Sequence, residues 1–329
     1  MAKEGKIDIV FDHTRFGIDE AKQLEGSIPV LSTQHGPLTP PFIENEEIER
    51  LKNTKGVYYI AISEDQKSQA ELRWIGVVSN GIDLDEFDPP QKTTEEGHET
   101  FGNKYLVYLG RIAKQHEIDL KGVRNAIAVA NELGVRLVIA GKPEPDTTNY
   151  FEREIKPQID GKLICYINEV NSDDRRNLLK YAGAFMALNE WREPFGLTFA
   201  EAQAAGLPVV ATPLGSLTDI VAEDKTGLFV KKFVGDIRNS PEAFADACQK
   251  TWEILLGQHY TPQACRERTA LHYSRNVMVA GHAMVAFAAI IKNKGNPESP
   301  IETLRFEHRF EGNRVRVTPH SIEKVVYHS

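Results

Sequence analysis

Short β-branched runs alternate along the chain with stretches whose apolar residues recur at helical spacing. Segments 7–11, 30–33, 57–62, 105–109, 137–140, 163–167, 185–188 and 209–211 predict strands, while 123–133, 172–180 and 197–205 predict helices. Each of these helices is closed by Gly, or by Gly followed within two residues by Pro, which stops an α-helix. Strands alternating with helices predict an α/β protein, with parallel sheets covered by helices on both faces.

The pattern changes twice. Residues 83–100 are acidic, contain prolines and have no apolar period, which predicts a linker between domains. After a helix around 277–291 comes a tail in which Leu304, Phe306, His308 and Phe310 alternate with charged residues. A Glu311-Gly312-Asn313 turn and a second alternating run through Val315 and Val317 follow, predicting a β-hairpin. The expected organisation is therefore a reduced N-terminal domain with the linker start (1–92), a C-terminal domain (93–270), a crossover helix (271–293) and a tail (294–329).

Composition narrows the class. A chain of 329 residues holds about two domains. With 41% hydrophobic and 26% charged residues, it can fill two cores without disulfide or metal staples. The 39 basic and 47 acidic residues leave a net charge of -8, so no general attraction for nucleic acid or an anionic membrane is expected, and an anion site must be local. The longest unbroken apolar run, 283–291, is shorter than the ~20 residues that cross a bilayer, which predicts no transmembrane segment while leaving room for peripheral membrane contact. The first residues lack the apolar core of a signal peptide. Cys165, Cys248 and Cys265 are odd in number and widely spaced, arguing for a reducing compartment, hence a cytoplasmic protein.

Chemistry concentrates in 189–212, Asn-Glu-Trp-Arg-Glu-Pro-Phe-Gly-Leu-Thr-Phe-Ala-Glu-Ala-Gln-Ala-Ala-Gly-Leu-Pro-Val-Val-Ala-Thr. This reads as a strand end, a loop opened by Pro194 and Gly196, a helix starting near Leu197, and the next strand. The N–H groups of Gly196, Leu197 and Thr198 would point unpaired from the positive end of a helix dipole, a ready phosphate or diphosphate site. Such a site at the carboxyl end of a parallel strand is where open α/β sheets bind ligands. Glu193 and Glu201 flank it, and each carboxylate can accept two hydroxyl protons, which suits two sugars. A simpler alternative stands beside this: Thr198-x-x-Glu201 fits a capping box, and Glu193 could be an exposed loop acid.

The element Glu193-x7-Glu201 within E-P-F-G-L-x-x-x-E-A-x-A-x-G-x-P-V-V-A resembles the signature of glycosyltransferase family 4, retaining enzymes of the GT-B fold that use nucleotide sugars. The resemblance implies two Rossmann-like, doubly wound parallel-sheet domains, the N-terminal one reduced here. Other segments are similar to family elements: Val78-Ser-Asn-Gly-Ile-Asp83, Tyr108-Leu-Gly-Arg111 with Lys121-Gly122, Leu137-Val-Ile-Ala-Gly141, Ile167-Asn-Glu-Val170 and Gly215-Ser-Leu-Thr-Asp219. In the front half, Ile7-Asp-Ile-Val-Phe-Asp-His13, Pro29-Val-Leu-Ser-Thr-Gln-His-Gly36 and Tyr59-Ile-Ala-Ile-Ser63 resemble family segments too.

By this resemblance Arg111 and Lys121 neutralise the donor diphosphate, Glu193 holds hydroxyls of the transferred sugar, and His35 and His13 contact it from the other domain. Glu201 holds the ribose, Val170 lies against the nucleobase, and Gly196, Leu197 and Thr198 supply the helix N-terminus. The implied partners are a nucleotide diphospho-sugar, a UDP-sugar first among donors, and an unidentified acceptor. No cofactor is implied, and no D-x-D pair is placed to hold a metal. Four departures stand out. Arg111 and Lys121 lie ten residues apart where the family has about five, leaving Lys114 as a rival. Asn168 stands at a family Gly and Asp219 at a family Glu. No Gly-Gly loop precedes Ile7, so the chain is expected to be a fragment or naturally reduced, and a donor-binding protein inactive alone is the alternative to an enzyme. A GT-B epimerase is a third reading, disfavoured by the E-x7-E spacing. Trp191 and Arg192 read as loop anchors, and Arg266, Arg268 and Arg275 as a surface charge pattern.

Overall fold

The computed structural model describes residues 7–14, 27–87, 105–115, 118–145, 148–294, 302–311 and 314–324. The expected linker falls mostly outside them, at 88–100. Contacts divide the chain into two units, Ile82–Ala270, and Met1–Gly81 together with Leu271–Ser329.

In the unit Ile82–Ala270, the strands are β5 (Leu106–Leu109), β8 (Leu137–Ala140), β9 (Ile164–Tyr166), β10 (Ala184–Ala187), β11 (Val209–Ala211) and β12 (Gly227–Phe229). They form one parallel sheet in the order β12-β11-β10-β5-β8-β9. The chain winds outward from β5 through β8 to β9, then returns to the other side of β5 and winds outward again. Strand order thus reverses between β5 and β10, and in such sheets the crevice at the reversal receives the ligand. Leu137–Ala140, Ala184–Ala187 and Val209–Ala211 are buried at every residue, as strands covered on both faces must be. Helix Val123–Leu133 packs Ala126, Ile127 and Ala130 into a core with Leu137, Ile139 and Met186.

The ten-residue gap between Arg111 and Lys121 is taken up by a small antiparallel pair, β6 (Lys114–Gln115) with β7 (Ile118–Asp119). It doubles the chain back, so that Lys121 stands at the start of helix Val123–Leu133. Buried Asp119 clamps that start: its Oδ1 accepts from the Gly122 N–H at 3.1 Å and its Oδ2 from the Arg124 N–H at 2.8 Å. Burial pushes the Asp119 carboxyl up to about 6.

The other unit holds a parallel sheet, β1 (Val10–Asp12), β2 (Val30–Thr33), β3 (Val57–Ala61) and β4 (Trp74–Val77), in that order. Helix Asn45–Asn53 covers one face through Ile48 and Leu51. Helix Arg275–Lys294 covers the other, with Val285 and Ala289 against Leu31, Tyr58 and Ile60. Arg275–Asn293 is by length and composition long and apolar enough to cross a bilayer, because the helix runs on past the polar residues that interrupt the apolar run in sequence. In the structure its inner side is seated on the sheet. The tail forms the expected hairpin: β13 (Glu302–Glu311) pairs antiparallel with β14 (Arg314–Lys324), with Phe310 opposite Val315 and His308 opposite Val317.

Candidate active site

Two loops leave the carboxyl ends of β5 and β10, the strands that flank the reversal of order. The first carries Gly110, Arg111 and, after the small pair, Lys121. The second carries Glu190, Trp191 and Glu193. The fold brings Lys121 and Glu193 into a salt bridge across 72 residues of sequence. Glu193 is 5% exposed, so its charge depends on partners rather than water. The Trp191 indole serves both groups: Nε1–H donates to Glu193 Oε2 at 3.1 Å, and the Lys121 ammonium lies 4.6 Å from the ring centroid. The Glu193 backbone is held as well, its carbonyl accepting from the Ser216 N–H at 2.9 Å.

The loop then turns into helix Leu197–Ala204 through Gly196, whose φ of 87° lies in the left-handed region. A Cβ at Gly196 would meet the Phe199 ring at 2.4 Å, so a glycine is required for the chain to enter the helix at this angle. With Gly196 as N-cap, no side chain closes the helix start. The N–H groups of Gly196, Leu197 and Thr198 meet no acceptor among the described residues. Leu197 is exposed and Thr198 half-buried.

The capping-box alternative does not form. Thr198 lies inside the helix instead of capping it, and Glu201 reaches across to Arg175 of helix Ser172–Tyr181, Oε1 to Nη1 at 3.2 Å. Glu201 is 8% exposed and its Oε2 is buried with no hydrogen-bond partner. Burial pushes its carboxyl up to about 7, Arg175 pulls it down, and Glu86 adds to the rise.

Of the other expected residues, Arg111 is 60% exposed and pairs with Glu144 at 3.0 Å; no bond among the described residues joins it to Lys121 or Glu193. The rival Lys114 is committed elsewhere, to Glu154 at 2.7 Å and over the Tyr150 ring at 5.5 Å. Val170 is half-buried, two residues after Asn168. Asn168 has φ 59°, which explains a family Gly there, since Asn is among the few other residues that tolerate the left-handed region.

His13 and His35 belong to the other unit. His13 follows β1, His35 follows β2, and their Nδ1 and Nε2 lie 3.1 Å apart. A third ring, His282 of helix Arg275–Lys294, stands 5.7 Å from His13 and donates to the Met278 carbonyl at 3.0 Å. Burial holds the His282 imidazole below its ordinary range.

Sequence reasoning read Trp191 only as a loop anchor and missed Arg175 and His282. An aromatic residue between two acids was a signal for the first, and the only polar ring in the apolar stretch 277–291 for the last; nothing marked Arg175. The expected surface pattern of Arg266 and Arg268 is also corrected. Both are half-buried and donate to backbone carbonyls, Arg266 to Ala204 and Leu84, Arg268 to Ile220, because helix ends leave acceptors unpaired.

Residues 91–254 match the family model described as glycosyl transferases group 1. A D-inositol 3-phosphate glycosyltransferase of Corynebacterium glutamicum is 30% identical over 185 residues, covering 53% of this chain and 42% of that relative. A putative glycosyltransferase, YtcC, of Bacillus subtilis is 25% identical over 191 residues, covering 54% and 45%. The chain thus spans less than half the length of these curated relatives. Among solved structures, Anabaena Alr3699/HepE in complex with UDP and glucose superposes with a TM-score of 0.65 at 16% identity, over 87% of this chain and 80% of that one. Sucrose-phosphate synthase of Thermosynechococcus elongatus superposes with a TM-score of 0.66 at 18% identity, over 86% and 74%. These likenesses agree with the fold expected from the sequence, parallel Rossmann-like sheets of the GT-B class.

Proposed function

From the match of residues 91–254 to the family model described as glycosyl transferases group 1, we propose that the chain transfers a hexose from a nucleotide diphospho-sugar to an acceptor with retention of configuration. The observation that carries this reading is the pair of half-buried Lys121 and buried Glu193 beside the unpaired N-terminus of helix Leu197–Ala204, where the sheet reverses its strand order. An ammonium and three aligned N–H groups suit the charge that develops on a departing diphosphate, so the reaction would need no metal for that purpose. Glu193 accepts hydroxyls of the transferred sugar, Glu201 accepts those of the ribose through Oε2, and Val170 lies by the base. Arg111 reaches the diphosphate by releasing Glu144, an exposed pair worth about 1 kcal/mol or less. By the family resemblance alone, His35 and His13 stay candidates for the hexose. In transfer, the bond from the anomeric carbon to the diphosphate oxygen breaks, the acceptor oxygen bonds the same face, and the acceptor proton passes to the leaving phosphate.

UDP-sugars head the donor panel, since the HepE structure that shares the fold holds UDP and glucose. The names of several relatives place inositol 3-phosphate among acceptors to try. Incubating the purified chain with nucleotide sugars and measuring released nucleoside diphosphate tests the reading. Tight binding without release would instead favour a donor-binding protein inactive alone, and free monosaccharide without acceptor would favour an epimerase.

Glu201→Gln should weaken UDP binding by about tenfold or more in calorimetry, the effect of losing a charged acceptor for hydroxyls. An unchanged affinity with only a lowered melting temperature would leave Glu201 a purely structural group.

A further inference from the structure

We propose that Arg175 is a positioning residue for nucleotide binding: its guanidinium takes Oε1 of Glu201, holds that carboxylate negative, and leaves Oε2 as the acceptor for the ribose hydroxyls. The inference rests on the donor reading above and assigns a role to a residue on a different helix.

Three observations carry it. Glu201 is nearly excluded from water, yet only one of its two oxygens has a partner, and that partner is Arg175 at 3.2 Å. A buried carboxylate with a single contact is an incomplete arrangement, since a carboxylate offers about four acceptor positions. The Arg175 guanidinium lies 5.9 Å from the Phe87 ring centroid, and its Nε is buried with no hydrogen-bond partner.

The surrounding charges leave this work to Arg175. From the turn Leu84–Glu86, Glu86 opposes ionisation of Glu201, and its own nearest cation is Arg176 at 3.8 Å. From helix Pro262–Tyr273, Arg266 and Arg268 direct their donors to backbone carbonyls. With Arg175 in place, burial brings the Glu201 carboxyl to about 7. The sign follows: the charged, hydroxyl-accepting form is complete above that pH and is lost as pH falls through it. Removing the guanidinium takes away the lowering influence, so protonation begins at a higher pH.

The test compares the full chain with R175M, which keeps the aliphatic stem against Phe87, and with R175K, which keeps a charge. UDP affinity is measured from pH 6 to 9. The parent should lose affinity as pH falls through about 7; in R175M that midpoint should rise by roughly one unit or more, making binding near pH 7.5 about threefold weaker or more, with R175K between them. A midpoint in R175M equal to the parent's overturns the proposal. A second readout needs no ligand. In protein labelled with ¹³C at glutamate carboxyls, the resonance that disappears in E201Q should titrate at higher pH in R175M, and a coincident titration would likewise overturn the role. If the parent binds no nucleoside diphosphate while the carboxyl titration still shifts, the donor reading fails and the Arg175–Glu201 linkage survives.

Discussion

Glu193→Gln is expected to lower donor turnover by about 10²–10³-fold while leaving UDP affinity within a few-fold of the parent. The carboxylate is 5% exposed and holds two groups at once, the Lys121 ammonium and the Trp191 indole N–H. A neutral amide of the same shape keeps one acceptor oxygen but no charge. Lys121, only 19% exposed in its side chain, then loses its counter-charge, and removing one partner of a buried pair costs about 3–5 kcal/mol. The melting temperature should fall as well, so stability and activity have to be separated. Release of UDP from a UDP-sugar, followed below the variant's melting temperature and paired with calorimetric UDP binding, does so. If turnover and UDP affinity fell by the same factor, Glu193 would be a scaffold for the pocket instead of a contact for the transferred sugar.

The second large effect is on folding. Gly122→Ala should destabilise the chain by about 3–5 kcal/mol, a fall in melting temperature of roughly 10 °C, or prevent soluble expression. Gly122 has φ +75°, and a Cβ there would lie 1.9 Å from the Leu188 carbonyl oxygen and 2.9 Å from the Asn189 nitrogen. Both atoms are backbone at the end of β10, so relief requires moving the loop that carries Glu190 and Glu193. Gly134→Ala is the control. Its φ is +61° with nothing within 4 Å of a Cβ, so backbone strain alone applies, about 1 kcal/mol. Equal melting temperatures for the two variants would show that the close approach of Gly122 to β10 does not matter.

That contact also explains why the site was only partly readable. The loops meet because β5 and β10 are neighbours in the sheet, with Val107 paired to Phe185, although 72 residues separate Lys121 from Glu193. The family motif named both residues and left Lys114 as a rival, and the geometry puts Lys121 against Glu193 and Lys114 against Glu154. It did not foresee that Trp191 would join the pair, because an indole serves as a donor only when its target is near, and nearness comes from packing. The capping-box alternative arose from four consecutive residues and failed for the same reason. Local spacing is compatible with a cap at Thr198, but the N-cap is Gly196, two residues earlier, and Glu201 finds its charge partner on another helix.

What the chain's own order of residues determined was local. Short apolar runs set strands such as Val30–Thr33, Leu137–Ala140 and Val209–Ala211, and a helical apolar period stopped by Gly134 set the helix Val123–Leu133, because burial period and stop residues act within a few positions. Tertiary structure decided which side chains face one another, and with that which charges are neutralised and which carboxyls are pushed upward. Coulomb attraction and desolvation depend on distance in space and on exclusion of water, and neither is written in the spacing of residues along the chain.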